Sequence, residues 1–154
     1  MSVSDAIYHY CRYQERCHQE VRDKLYELGC NSSEVEEHIA DLIQGNVLNE
    51  ERYARAIARG KFRMKHWGRV KIITQLKAKR VSEYCIKKAL TEIDPSEYFA
   101  TLCRLTEKKL QELSSEKKDH IRKFKLTRYL LQKGYESSLI NDALTEIKAR
   151  TNVD

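Results

Sequence analysis

The chain has 154 residues, of which 34% are charged and 41% are hydrophobic, and its net charge is +6. This apolar content is enough to form a buried core, which excludes disorder as a description of the whole chain. Five glycines and one proline leave few hairpin turns, and good helix formers dominate the rest, so the composition predicts an all-α protein.

The sequence contains no membrane anchor or secretion signal that we recognise. No apolar run approaches the ~20 residues that cross a bilayer, and residues 1–5 lack the basic and apolar regions of a signal peptide. The cysteines are odd in number and none has CxxC spacing: they are Cys11, Cys17, Cys30, Cys85 and Cys103. We therefore predict reduced, buried thiols in a cytoplasmic protein with no membrane contact, metal or cofactor.

The first group of predicted helices lies in residues 1–47, which form an acidic first repeat. Apolar spacing predicts helices over about 3–13, 17–28 and 33–44. Gly29 is placed to end the second helix as a left-handed residue. Ser33 and Glu36 are predicted to form a capping box for the third helix.

The second repeat, residues 48–93, is strongly basic. Its helices are predicted over about 50–65, 69–79 and 83–93. Asn49 is predicted to cap the first of these helices and Ser82 the last, because short polar side chains accept hydrogen bonds from free N–H groups at helix starts.

The third repeat, residues 94–154, opens on an Asp-Pro pair. Its helices are predicted over about 95–113, 116–132 and 137–149. Asp94 is placed as N-cap and Pro95 as the first helical residue, where no amide hydrogen bond is lost. Ser115 is predicted to cap the middle helix and Gly134 to close it.

Internal similarity links the three groups. The word Ala-Leu-Thr-Glu-Ile at residues 89–93 recurs at residues 143–147, and a fainter copy lies near the start of the chain. A unit of three short helices is near the lower size limit for independent stability, so neighbouring copies should pack on each other. The sequence therefore predicts an elongated array of three tandem three-helix repeats.

A basic segment, residues 52–88, carries the positive charge of the chain. It holds thirteen Lys and Arg residues and one acid, Glu83, a net charge of +12, whereas the remaining residues hold 16 basic and 22 acidic side chains. Such a block attracts polyanions, or an acidic protein face, and steers them on encounter.

Two predicted helices present these charges. On the first helix, arginines share a stripe that has no compensating Glu, and like charges at this spacing destabilise a helix by a few tenths of a kcal/mol per pair. The stripe consists of Arg52, Arg55, Arg59 and Arg63, and further binding candidates are Lys65, Arg69, Lys71, Lys77, Lys79 and Arg80. The alternative is a solvated face that pairs with acids of other repeats, since residues 1–51 hold 11 acids against 4 bases.

The junction between these two helices contains Trp67 and Gly68. Trp67, which is the single tryptophan, could stack on a base, as aromatic side chains do in single-strand binding sites. A tryptophan at a helix junction more often packs under the turn and sets the angle between the helices. We therefore predict a structural role for this pair.

Several sequence motifs, in the order in which they occur along the chain, resemble those of the RecX family. The resemblance rests on Val-Leu-Asn-Glu-Glu-Arg-Tyr-Ala at 47–54 and Trp-Gly-Arg-Val-Lys-Ile at 67–72, with Leu76. Supporting positions in the outer repeats include Arg16, Glu20, Leu25, Gly29, Lys125, Leu130, Lys133, Gly134, Tyr135 and Ile140. The chain departs from the family pattern in three places: His66 stands where Gly is frequent, Arg69 where Pro is frequent, and Asn49-Glu50 where Asp-Asp is common.

The resemblance implies a regulator of the RecA recombinase. It implies three helical repeats that bind in the groove of the RecA–DNA filament and modulate, most often inhibit, its activity in DNA repair and recombination. It also implies weak, phosphate-directed contact with single- and double-stranded DNA. We expect a monomer and no enzymatic activity, since motifs such as HExxH or GxSxG do not occur. The alternative is a general DNA-binding helical module without a RecA partner.

Overall fold

The computed structural model describes residues 1–151, which form nine α-helices and contain no β-strand. In chain order the helices are α1 (Val3–Tyr13), α2 (His18–Glu27), α3 (Ser32–Gln44), α4 (Glu50–Lys65), α5 (Arg69–Ala78), α6 (Glu83–Leu90), α7 (Pro95–Glu112), α8 (Asp119–Lys133) and α9 (Ser137–Thr151). The all-α helical repeat array predicted from the sequence is confirmed. The exact repeat boundaries stay a prediction, and residues 152–154 of the third repeat lie outside the described residues.

Several helix ends form as the local sequence predicts. The side chains of Asp94 and Ser82 accept hydrogen bonds from the backbone N–H groups three residues ahead, and Pro95 begins α7. Gly29 and Gly134 follow α2 and α8 with φ of +94° and +99°, a conformation that glycine adopts without a Cβ penalty.

The capping box of α3 was predicted two residues too late. Asn31 Oδ1 accepts a hydrogen bond from the N–H of Glu34 at 2.9 Å, and Glu34 Oε1 accepts one from the N–H of Asn31 at 3.0 Å. Ser33 therefore lies inside α3 and does not cap it. The Ser-x-x-Glu motif at 33–36 competes with this cap in the sequence, because the two candidate pairs overlap.

Two helices are shorter than predicted. The third helix of the second repeat, α6, ends at Leu90, because the chain turns at Thr91 before α7 begins. The middle helix of the third repeat, α8, begins at Asp119, so Ser115 does not cap it. Arg122 instead binds the carbonyl of Glu116, at 2.7 and 3.2 Å, and fastens the connection to the helix start.

The first of two compact units contains residues 1–59 and 75–92. Its core is built from apolar side chains of α1, α2 and α3, which pack on one another with Leu48. The fully buried members include Ile7, Val21, Leu25 and Val35. Regular apolar spacing along these helices explains why they pair, because each presents one apolar stripe to its neighbours.

The second compact unit contains residues 60–74 and 93–154. Within it α7, α8 and α9 pack on each other around Leu102, Leu126, Leu130 and Ile140. The aromatic rings of Phe62, Tyr98 and Tyr135 follow one another, with centroids 5.8 and 5.1 Å apart. No helix of residues 1–151 has the length and apolarity required to cross a membrane.

Candidate anion-binding surface

Arg52 is tied to the first unit by several polar contacts. Its Nε lies 2.5 Å from Glu15 Oε2, and its Nη2 donates to the carbonyl of Val47 at 3.1 Å. The side chain is 37% exposed. Because the guanidinium already has a carboxylate partner and a carbonyl partner, Arg52 serves the fold before any ligand arrives.

Arg55 and Arg59 are also paired with acids. Arg55 contacts Glu51 at 3.0 Å and Glu92 at 3.3 Å, and Arg59 contacts Glu92 at 2.9 Å. Hydrogen bonds to the two carboxylates raise the pKa of Arg55. The prediction that the arginine stripe lacks compensating acids is therefore wrong for these residues, because Glu51 lies one turn away and Glu92 is brought in by the fold.

The α5 end of the basic segment is less neutralised. Lys79 Nζ lies 3.6 Å from Glu20, whereas Lys77 and Arg80 are exposed and form no ion pair within residues 1–151. Arg80 adopts φ of +59°, the left-handed conformation that ends a helix. These two cations remain available on the first unit.

Arg69, in the second unit, is held by a polar network. Its Nη1 lies 2.9 Å from Glu136, and its guanidinium stacks on the Tyr98 ring at 3.9 Å. The Tyr98 hydroxyl accepts a hydrogen bond from the Arg69 N–H at 2.9 Å and donates one to Glu136. Burial, together with the Glu136 hydrogen bond, raises the pKa of Tyr98. Arg69 thus links the start of α5 to Tyr98 of α7 and to Glu136, the residue before α9.

Gly68 lies where two turns of the second unit meet. Its N–H donates to the carbonyl of Lys133 at 2.7 Å, and the N–H of Val70 donates to the carbonyl of Gly134 at 2.9 Å. A Cβ at Gly68 would lie well inside 3.0 Å of the Gly134 carbonyl group. The sequence showed Gly134 as a helix terminator, but its close approach to Gly68 depends on residues far apart in the chain.

His66 and Lys65 add two further bonds to this turn. The carbonyl of His66 accepts from the Tyr135 hydroxyl at 2.8 Å, and the carbonyl of Lys65 accepts from Lys133 Nζ at 3.0 Å. His66 adopts φ of +57°, which explains why Gly suits this position in the family pattern.

Trp67 is half-buried and carries two ammonium groups on its ring. Lys71 Nζ lies 4.5 Å, and Lys61 Nζ 5.0 Å, from the ring centroid, within cation–π range. The backbone N–H of Trp67 donates to the carbonyl of Lys61 at 3.1 Å. These contacts support, without testing, the predicted structural role.

Four lysines form a cluster beside this junction, named here the lysine cluster: Lys65, Lys71, Lys108 and Lys133. Burial lowers the pKa of Lys133, and the charges of the other three lower it further. None of the four pairs with a carboxylate within residues 1–151, and Lys65 and Lys108 are exposed. Lys108 and Lys133 were not predicted as binding residues, because they lie outside the basic segment and the fold alone brings them to this junction.

The predicted binding residues thus separate into paired and unpaired sets. The paired set is Arg52, Arg55, Arg59, Arg69 and Lys79. The set without an ion pair in the described part of the chain is Arg63, Lys65, Lys71, Lys77 and Arg80. Arg63 is exposed and lines a small cavity with His66, Glu97 and Arg104.

All five cysteines are free and buried, as predicted. Burial raises the pKa of Cys17 to about 11, so its thiol stays protonated near neutral pH. Cys17 instead caps α2, where its Sγ accepts from the N–H of Glu20 at 3.4 Å. Residues 1–151 contain no group of three or more potential metal ligands.

Comparison with known proteins points to one family. The family model for the second three-helix domain of RecX matches residues 49–90, and the model for the third three-helix domain of RecX matches residues 96–144. A regulatory protein RecX of Clostridium perfringens (strain 13 / Type A) is 35% identical over 84% of this chain. The aligned part spans only 60% of the length of that relative. A regulatory protein RecX of Prosthecochloris aestuarii is 30% identical over 90% of this chain and 88% of the relative.

A solved structure gives the same result. The crystal structure of RecX from Lactobacillus salivarius superimposes with a TM-score of 0.86 and 25% sequence identity, covering 95% of this chain and 94% of that chain. The helical fold and the order of its elements are therefore shared.

Proposed function

This chain belongs to the RecX family of regulatory proteins, and from that premise we propose that it binds the RecA–DNA filament and limits recombinase activity. The proposal assigns the contact to cations that have no carboxylate partner in the described residues. It includes RecA subunits and DNA phosphate as joint partners in the cytoplasm. The family membership is the observation that carries it.

The position of the family match supports the location of the contact. The matched second domain, residues 49–90, contains the whole basic segment, residues 52–88, with its net charge of +12. Its cations that have no carboxylate partner in the described residues raise the local concentration of a polyanionic filament and accelerate encounter. The positive surface is therefore suited to a nucleoprotein partner.

We also propose a binding role rather than a catalytic one. The matched relatives are named regulatory proteins. Lys65, Lys77 and Arg80 of the basic segment are exposed to solvent, and exposed lysines and arginines suit reversible contact with phosphate.

A RecA ATPase assay on single-stranded DNA tests the proposal. Adding this protein is expected to lower the ATPase rate at protein concentrations where its binding to naked DNA is slight. The assay is run beside a binding titration on the same oligonucleotide at the same salt concentration. An unchanged rate at concentrations that saturate the filament would refute the proposal.

The second candidate, a DNA-binding module without a RecA partner, is favoured by one observation, the unpaired lysine cluster. It predicts that any inhibition follows occupancy of naked DNA. Both should then decline together as salt rises, because release of counterions makes phosphate binding steeply salt-dependent. A RecA contact predicts inhibition that persists at salt concentrations where binding to naked DNA is lost.

A further inference from the structure

We propose that the lysine cluster of Lys65, Lys71, Lys108 and Lys133 is the main contact of this protein with nucleic-acid phosphates, in place of the α4 arginine stripe. The inference deepens the proposed function and rests on it only for the choice of DNA as the polyanion. The site includes two lysines outside the basic segment.

The α4 arginines and the lysine cluster differ in their ion-pair partners. Arg55 and Arg59 lie within 3.3 Å of Glu92, so a phosphate that approached them would compete with a carboxylate already in place. The four lysines have no such competitor within residues 1–151. An ion pair that must be broken offsets the gain from a new one, so the unpaired set binds phosphate with the larger net gain.

The fold brings like charges together in the lysine cluster, where they repel one another. Lys133 Nζ donates a hydrogen bond to the Lys65 carbonyl at 3.0 Å, which holds it at the end of α4, and the Cβ of Lys71 lies beside Gly134, the residue after Lys133. Burial, and after it the charges of Lys71, Lys65 and Lys108, lower the pKa of Lys133, in agreement with this placement. A phosphodiester placed among them replaces repulsion by attraction, and successive phosphates of one strand can reach successive lysines.

Backbone hydrogen bonds hold the two helix ends that carry Lys71 and Lys133. Gly68 and Val70 donate backbone hydrogen bonds to the carbonyls of Lys133 and Gly134, which fixes the start of α5 against the end of α8. These N–H groups at the start of α5 are therefore occupied, and recognition falls to the lysine side chains. Lysine contacts to phosphate carry no base information, so the site should bind DNA of any sequence.

Trp67 provides a built-in reporter of the site. Lys71, a member of the cluster, holds its ammonium 4.5 Å from the indole centroid. A phosphate bound by the cluster draws this ammonium away from the ring, so the emission of the single tryptophan changes on binding.

The test is fluorescence anisotropy with a labelled twenty-nucleotide oligo-dT and a duplex of equal length, without RecA. The variant is Lys65→Gln/Lys108→Gln, since both side chains are exposed and unpaired in the described residues. It is expected to weaken binding to both probes at least tenfold. It should also lower the slope of log K against log salt by about 1.4 on the single strand, at roughly 0.7 per lost phosphate contact.

The matched control is Lys117→Gln/Lys123→Gln, which removes two exposed lysines of the same unit that do not act on Lys133. It is expected to change the dissociation constant less than threefold. Equal losses in the two double variants would overturn the proposal, because net charge alone would then explain binding. Saturating oligo-dT that leaves Trp67 emission unchanged would overturn it as well.

The failure of this inference differs from the failure of the proposed function. The first is seen with naked DNA alone, when the cluster variant binds like the control. The second is seen in the RecA ATPase assay with the parent protein. A parent that inhibits RecA while both variants bind naked DNA equally would retain the function and reject the site.

Discussion

Replacing Gly68 by Ala tests whether the contact between its turn and the Gly134 turn stabilises the second unit. A Cβ at Gly68 would overlap the carbonyl group of Gly134 and lie 2.5 Å from the N of Tyr135. These are backbone atoms, which cannot rotate away as a side chain does. The two turns must therefore separate, and the hydrogen bonds of 2.7 and 2.9 Å between them weaken or break.

The expected cost follows from these contacts. Two backbone hydrogen bonds contribute roughly 0.5–1.5 kcal/mol each, and forcing extra volume into a packed site costs roughly 1–3 kcal/mol. We expect Gly68→Ala to lower the free energy of unfolding by about 3 kcal/mol. The measurement is urea unfolding followed by Trp67 fluorescence, which reports on the second unit because Trp67 belongs to it.

Gly60→Ala is the matched control. A Cβ at Gly60 meets no atom within 4 Å, and Gly60 lies inside α4. The substitution should stabilise the helix by roughly 0.5–1 kcal/mol, because alanine is a better helix former than glycine. If Gly68→Ala unfolded at the same urea concentration as the parent, the proposed role of the turn contact would be refuted.

Three further outcomes are expected. Leu144→Ala should lower the free energy of unfolding by roughly 2–5 kcal/mol, because Leu144 is only 9% exposed. Leu90→Ala should lower it less, because Leu90 is half-buried, and urea titration of the two variants compares them. Tyr98→Phe should cost roughly 1–3 kcal/mol in thermal or urea unfolding, because the Arg69 N–H loses its acceptor. DNA affinity should fall as pH rises through the lowered pKa of Lys133, since the ammonium is the binding form, and anisotropy should show a later fall for Lys133→Arg. Equal stabilities for the two leucine variants, a Tyr98→Phe protein as stable as the parent, or identical pH profiles would contradict these expectations.

Helix positions were largely readable from the chain because their signals are local. Asp94 and Ser82 each cap the helix that begins at the next residue by accepting from an N–H group three residues ahead, so an N-cap needs no distant partner. The errors also arose locally, where two signals competed or where no strong signal existed. Asn31 prevailed over Ser33, and α8 starts after a residue, Lys118, whose side chain makes no capping bond.

The candidate site was only partly readable. The clustering of positive charge along residues 52–88 is a property of the sequence, and so is the choice of lysine and arginine for phosphate contact. The sequence does not show which of these cations are free, because most of their acid partners lie far along the chain. Glu92 is 33 residues from Arg59, and Glu136 is 67 residues from Arg69.

The sequence by itself determined nine helices, their approximate ends and a positively charged middle, because backbone propensity, capping and apolar period act within a few residues. The tertiary structure decided which cations are neutralised by Glu92, Glu20 and Glu136 and which lysines gather beside Trp67. The physical reason is that a charge acts on whatever the fold places within a few ångströms, and separation along the chain does not reveal that distance.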